Sequence, residues 1–166
     1  LADVAHTFQV RAKDLHGILD GTQASYSWTI DATPPDTILD ETPTPVTNAT
    51  TATFKFHSTE NNSTFLCKID SAAPVVCSSP ATYNGLSDGL HTFTVSAVDE
   101  ASNIDPTPAS VTWTIDTQAP DTAINSGPAN PTTSTSATFV FSSPNSPGDT
   151  YYCRLDGIPA NFTACS

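Results

Sequence analysis

Four cysteines, four histidines and seventeen acidic side chains are the groups in this 166-residue chain whose chemistry could reach beyond packing. The cysteines form two pairs, Cys67 with Cys77 and Cys153 with Cys165, each bracketing a hairpin whose turn is marked by Asp70-Ser71 or Asp156-Gly157. A zinc site would call for close Cys-x-x-Cys pairs and spaced histidines, and neither is present. Asp99, Asn103 and Asp105, with Asp31, Asp36, Asp116 and Asp121, offer the oxygen ligands that calcium takes, against the plainer reading that isolated Asp residues cap turns. Asn48, Asn61, Asn62 and Asn161 stand in Asn-x-Ser/Thr sequons expected in loops, and the Thr-rich stretch 42–53 is a candidate for O-linked sugar. No Ser, His and Asp combination stands out, so no catalytic residue, no enzyme and no cofactor other than calcium is expected.

The elements that must position these groups come twice. The phrase HTFQVRAKD (6–14) returns as HTFTVSAVD (91–99), an offset of 85 residues (91 minus 6). At that offset Trp28 falls on Trp113, Asp31 on Asp116, Pro43 on Pro128 and Phe54 on Phe139. One inserted residue then makes the offset 86, aligning TFLCKID (64–70) with TYYCRLD (150–156). Four cysteines allow three pairings, and the repeat favours pairing within each hairpin. Such a bond would contribute about 3 kcal/mol by restricting the unfolded chain, and it suits an oxidising compartment.

The segments between turns alternate with period two. Ala52, Phe54 and Phe56 fall on one face, as do Ala137, Phe139 and Phe141. Further inward sets are Phe65, Cys67 and Ile69; Phe93, Val95 and Ala97, matched by Phe8, Val10 and Ala12; and Val111, Trp113 and Ile115, matched by Tyr26, Trp28 and Ile30. His6 and His91 occupy one repeated position beside such a set, so a structural role outweighs a catalytic one. Trp28 and Trp113 share a face with Ile30 and Ile115, which favours core packing over a sugar-stacking platform.

Fourteen prolines, abundant Thr and Ser and only 13% charged residues suit short strands and turns. The expected class is all-β, as sandwiches of antiparallel sheets with about seven strands in each unit of about 85 residues. A net charge of -12 repels a phosphate backbone or an anionic membrane face, so nucleic acid is excluded as a partner. No apolar run is long enough for a spanning helix, and no membrane insertion of this segment is expected. With no Met anywhere, a chain opening at Leu1 is expected to be a mature product or a piece of something longer.

The run Cys77–Asp116, preceded by FLCKID, carries in order a Cys-x-Leu/Ile-Asp hairpin, a Gly-x-His-Thr-Phe strand, an Asp-Pro-Thr-Pro turn and a Trp-Thr-Ile-Asp exit. It resembles the bacterial immunoglobulin-like tandem repeats of large surface and secreted proteins. The first copy departs in one loop, LHGILDGTQAS (15–25) replacing EASNIDPTPAS. The resemblance implies immunoglobulin-like sandwiches strung into extracellular stalks, fibres or adhesins, without enzymatic activity.

If a unit begins at the Pro-Asp-Thr joint, residues 1–33 are the C-terminal half of a sandwich, 34–116 a complete one and 117–166 the N-terminal half of another. A half-sandwich exposes an apolar face and unpaired edges, so each needs a complement. The expected partner is a copy of the chain itself in a head-to-tail polymer at the cell surface, with surface glycans as further candidate ligands. Only a counterpart of SPATYNG (79–85) is missing between the end of one segment and the start of the next, which favours continuous polypeptide over strand donation between separate chains. The alternatives are an adhesin or glycan-binding module, and a passive spacer in a large secreted enzyme.

Overall fold

The computed structural model describes residues 1–146, 148–156 and 158–166. Among them there is no helix, and none therefore that could cross a membrane. The chain divides into two compact units, Leu1–Thr117 and Gln118–Ser166. In chain order the first unit holds β1 (Ala5–Val10), β2 (Ala24–Thr29), β3 (Thr37–Glu41), β4 (Val46–Thr47), β5 (Ala52–Ser58), β6 (Thr64–Ile69), β7 (Val75–Cys77), β8 (Ala81–Tyr83), β9 (Gly89–Val98) and β10 (Ala109–Ile115). The second holds β11 (Ala123–Ser126), β12 (Val140–Ser142), β13 (Tyr151–Leu155) and β14 (Ile158–Cys165). The expected turn at Asp156-Gly157 includes Gly157, which lies outside the described residues.

Between Thr37 and Ile115 the strands form a three-stranded sheet, β3-β5-β8, and a five-stranded sheet, β4-β10-β9-β6-β7, an arrangement consistent with a β-sandwich. Period-two alternation decides what lies between them. On β5, Ala52, Phe54 and Phe56 are buried while Thr53, Lys55 and His57 face water; on β9, His91, Phe93, Val95 and Ala97 are buried. Phe54 and Phe93 stack with ring centroids 3.9 Å apart, and Trp113 leans on Phe54 at 5.2 Å. Burying each such side chain contributes about 1.5–3 kcal/mol, so these few residues dominate the core. The cost they carry is small by comparison: the buried Trp113 Nε1 has no acceptor among the described residues, a loss of about 1–3 kcal/mol.

The first hairpin repeats the pairing of β9 with β10 without its burial. His6 faces Trp28 and Phe8 faces Tyr26, as His91 faces Trp113 and Phe93 faces Val111. The His6–Trp28 ring distance is 5.5 Å and the His91–Trp113 distance 5.4 Å. Yet Phe8 and Val10 are 58% and 51% exposed, where Phe93 and Val95 are wholly buried. The expected inward face of Phe8, Val10 and Ala12 therefore faces solvent, and Ala12 lies beyond the end of β1; among the described residues β1 and β2 form a two-stranded sheet of their own.

The second unit repeats the other half. Ile124 pairs with Phe141, and a bulge precedes the Ser126–Val140 pair, as Leu39 pairs with Phe56 and a bulge precedes Glu41–Lys55. Tyr151 pairs with Cys165 as Phe65 pairs with Cys77. The strand expected through Ala137, Phe139 and Phe141 is shorter than its pattern: β12 starts at Val140, and Phe139 is 44% exposed. The physical reason is an unsupported edge, since β5 is held on its second side by β8 and β12 is paired with β11 alone among the described residues.

This contrast predicts unequal costs of truncation. Phe93→Ala should destabilise the first unit by about 3–5 kcal/mol, whereas Phe8→Ala should cost under about 1 kcal/mol in dilute solution, both read from urea unfolding.

Candidate functional site

Among the described residues, a group of three carboxylates forms at the joint where β2 leads into β3. One carboxylate oxygen from each of Asp31, Glu60 and Asp99 lies within 4.8 Å of the other two. Asp99, at the end of β9, is buried and anchored: Asn103 donates to it through its backbone N–H (2.7 Å) and its side-chain Nδ2 (2.8 Å). The same Nδ2 donates to the Asp31 carbonyl at 3.1 Å, tying the joint to the loop. Asp3 holds the joint from the other side, accepting from Ala32 N (3.0 Å) and Thr33 Oγ1 (2.7 Å).

Burial, then the charges of Asp31, Asp99 and Asp3, push the Glu60 carboxyl above its ordinary value. Asp99 moves the other way: burial raises it, but the hydrogen bonds from Asn103 outweigh that and hold it below the usual range. A divalent cation would relieve the repulsion, and three carboxylates supply part of the six to eight oxygens calcium takes.

Of the sequence-derived calcium candidates, Asp31 and Asp99 meet and Asn103 braces them. Asp105 is engaged by other groups. Asp105 is buried and fastens two strands: its Oδ2 accepts from Thr37 Oγ1 at 2.5 Å, and Thr37 Oγ1 in turn accepts from Ala97 N at 2.8 Å. Its Oδ1 accepts from the backbone and hydroxyl of Thr107, closing an Asx turn. Asp116 directly follows β10 and donates its backbone N–H to Thr47 O. Asp36 accepts from Thr37 N, while Asp121 donates its N–H to Asn145 Oδ1. Glu60 escaped the sequence reading because its aligned position in the second copy is Asn145, so the repeat gives it no signal.

His91 is structural in its geometry. Its Nδ1 meets Asp70 Oδ2 at 2.9 Å and its Nε2 meets Ser87 O at 2.8 Å. Both partners are acceptors, so the two contacts are satisfied together only by the imidazolium. The Ser87 carbonyl and then Asp70 raise the His91 pKa; on Asp70, burial pushes upward but the bonds from His91 and Thr92 prevail and lower it. Asp70 can hold this position because it turns left-handed, with φ of 52°.

Disulfides join Cys67 to Cys77 and Cys153 to Cys165, each with Cα atoms 5.8 Å apart. Asn48, Asn61 and Asn62 are exposed outside strands, as sequon acceptors should be. Asn161 is exposed too, but it lies within β14 rather than in a loop. The Asn161 expectation is corrected by the longer second hairpin, whose returning strand extends through it. No protein-family model matches the chain, and no curated protein matches it.

Two measurements follow from these charges. Calcium should raise the melting temperature of the first unit, and Glu60→Gln should raise it in chelator while abolishing the calcium increment; identical transitions with and without calcium would remove the ion. His91, raised in the folded state, stabilises fully below its unfolded pKa of about 6.5 and loses that contribution as pH climbs through the folded value. Asp70, lowered, contributes above its unfolded pKa of about 3.9 and loses it as pH falls further. Unfolding curves from pH 5 to 9 should therefore decline on the alkaline side, and His91→Gln should flatten that decline.

Proposed function

We propose that this chain is a non-enzymatic structural unit of an extracellular filament or surface fibre, in which neighbouring half-domains complete one another head to tail. The observation that carries the reading is a mismatch in burial at matched register. Residues 34–116 seal a core between two sheets, while the hairpin β1–β2 and the strands of 118–166 carry the two complementary halves of that arrangement with their apolar faces open. An exposed apolar face on this scale marks an interaction surface. A head-to-tail contact between different faces does not close, so it propagates into a fibre.

The immunoglobulin-like assignment has its support in strand order. The entering segment is shared between sheets, β3 pairing antiparallel with β5 and β4 pairing parallel with β10, and β9 sits between β10 and β6. Two disulfides favour an oxidising, extracellular setting. The carboxylate cluster at the Asp31 joint adds a means of stiffening the link between consecutive units when calcium is present.

Electron microscopy of the concentrated 166-residue chain tests the function. Unbranched polymers one sandwich wide are expected, and Phe8→Asp, which puts a charge on the open face, should abolish them. Discrete particles at several hundred micromolar would contradict the reading.

A further inference from the structure

Two side-chain latches fasten the halves of the middle sandwich together, and each has a separated counterpart elsewhere in the chain. In the first latch His91 on β9 grips Asp70 at the end of β6, and Thr92 N–H donates to Asp70 Oδ1 at 2.8 Å. The matching histidine, His6, already makes the second of His91's bonds: its Nε2 meets Ala2 O at 2.8 Å, as His91 Nε2 meets Ser87 O. Its Nδ1 has no hydrogen-bond partner among the described residues. The residue aligned with Asp70 is Asp156, exposed, left-handed at the same φ of 52°, its carboxylate likewise without a hydrogen bond among the described residues.

The second latch joins Asp105 to Thr37. Asp20, the counterpart of Asp105, has built the same turn, accepting from Thr22 N (2.9 Å) and Thr22 Oγ1 (3.1 Å), and its N–H donates to Ala12 O (2.9 Å) as that of Asp105 does to Ala97 O (3.0 Å). Its expected partner, Thr122, lines an open groove of about 670 Å³ in the second unit, beside Ile124, Phe139, Phe141, Tyr151 and Leu155. The apolar groove and the two unfilled polar partners describe the same missing element.

We propose that the occupant of this groove is the β1–β2 hairpin of a second copy of the chain, with β1 adding antiparallel to the edge of β13 so that Phe8 lies opposite Leu155, Val10 opposite Cys153, His6 reaches Asp156 and Asp20 accepts from Thr122. The register is that of β6 with β9, where Ile69 faces Phe93 and Cys67 faces Val95. This interface is the established one within the middle sandwich carried across to a new pair of strands. The proposal rests on the filament reading and specifies its contact.

Crosslinking reads the register directly. Gln9→Cys and Arg154→Cys, placed in separate full-length chains and mixed under oxidising conditions, occupy the positions of Thr94 and Lys68, which face each other across β9 and β6. Mixed disulfide dimers are expected at least tenfold faster than from Gln9→Cys with Tyr152→Cys, which is two residues out of register. Asp156→Asn and Thr122→Val change exposed side chains that hold no hydrogen bond among the described residues. They should each weaken association by about tenfold and leave the unfolding of the first unit unchanged. Faster crosslinking of the shifted pair, or association indifferent to both variants, would overturn this register while the filament reading stood. Failure of the wild-type chains to associate at any concentration would overturn both.

Discussion

The stacking of Phe54 on Phe93 requires two sheets to face each other at core distance, and this requirement organises the whole chain. Phe54 belongs to β5 and Phe93 to β9, so the contact forms only when the three-stranded and five-stranded sheets are both present. Where both are present, Val95, Cys67, Trp113 and Ile115 are drawn out of water around the two rings. Where one is absent, the same residue types remain at the surface: Phe8 and Val10 lack the partner of Phe93 and Val95, and Phe139 lacks the partner of Phe54. Hydrogen bonding within each hairpin survives this loss, since strand pairing is satisfied locally, but apolar burial is not.

The sequence made the strands legible because alternation and repetition point the same way. Ala52, Phe54 and Phe56, or Phe93, Val95 and Ala97, could be assigned to one face from period alone, and the within-hairpin cysteine pairing follows from the second copy. What could not be read was whether a face had a partner. Phe8 and Phe93 sit in nearly identical phrases, and only tertiary context separates an exposed ring from a buried one. A short element such as β4 was invisible for a related reason: with two residues, it carries no period.

The site residues divide along similar lines. Asp31 and Asp99 were suggested by chemistry and do converge, but Glu60 has no repeated counterpart and joins them only through the fold. Asp105 resembled a cation ligand in the sequence, and its carboxylate is consumed by Thr37 and Thr107 instead. The loop that differs most between copies keeps its backbone bonds: Asp14 N–H donates to Ile18 O as Asp99 N–H donates to Asn103 O. What Ile18 cannot supply is the side-chain bridge that Asn103 makes to Asp31. A shared loop shape thus persists while the joint it braces in the first unit is specific to one copy.

Association between chains of charge -12 must overcome mutual repulsion, which salt screens over about 8–10 Å and apolar burial opposes at contact. Amide hydrogen exchange of β1, followed as concentration rises, tests most directly whether a neighbour covers the open faces. The account predicts that Phe8 to Arg11 gain protection with concentration toward the level of Phe93 to Ser96, while β9 stays protected throughout. Amides of β1 that exchange freely at every concentration would contradict it.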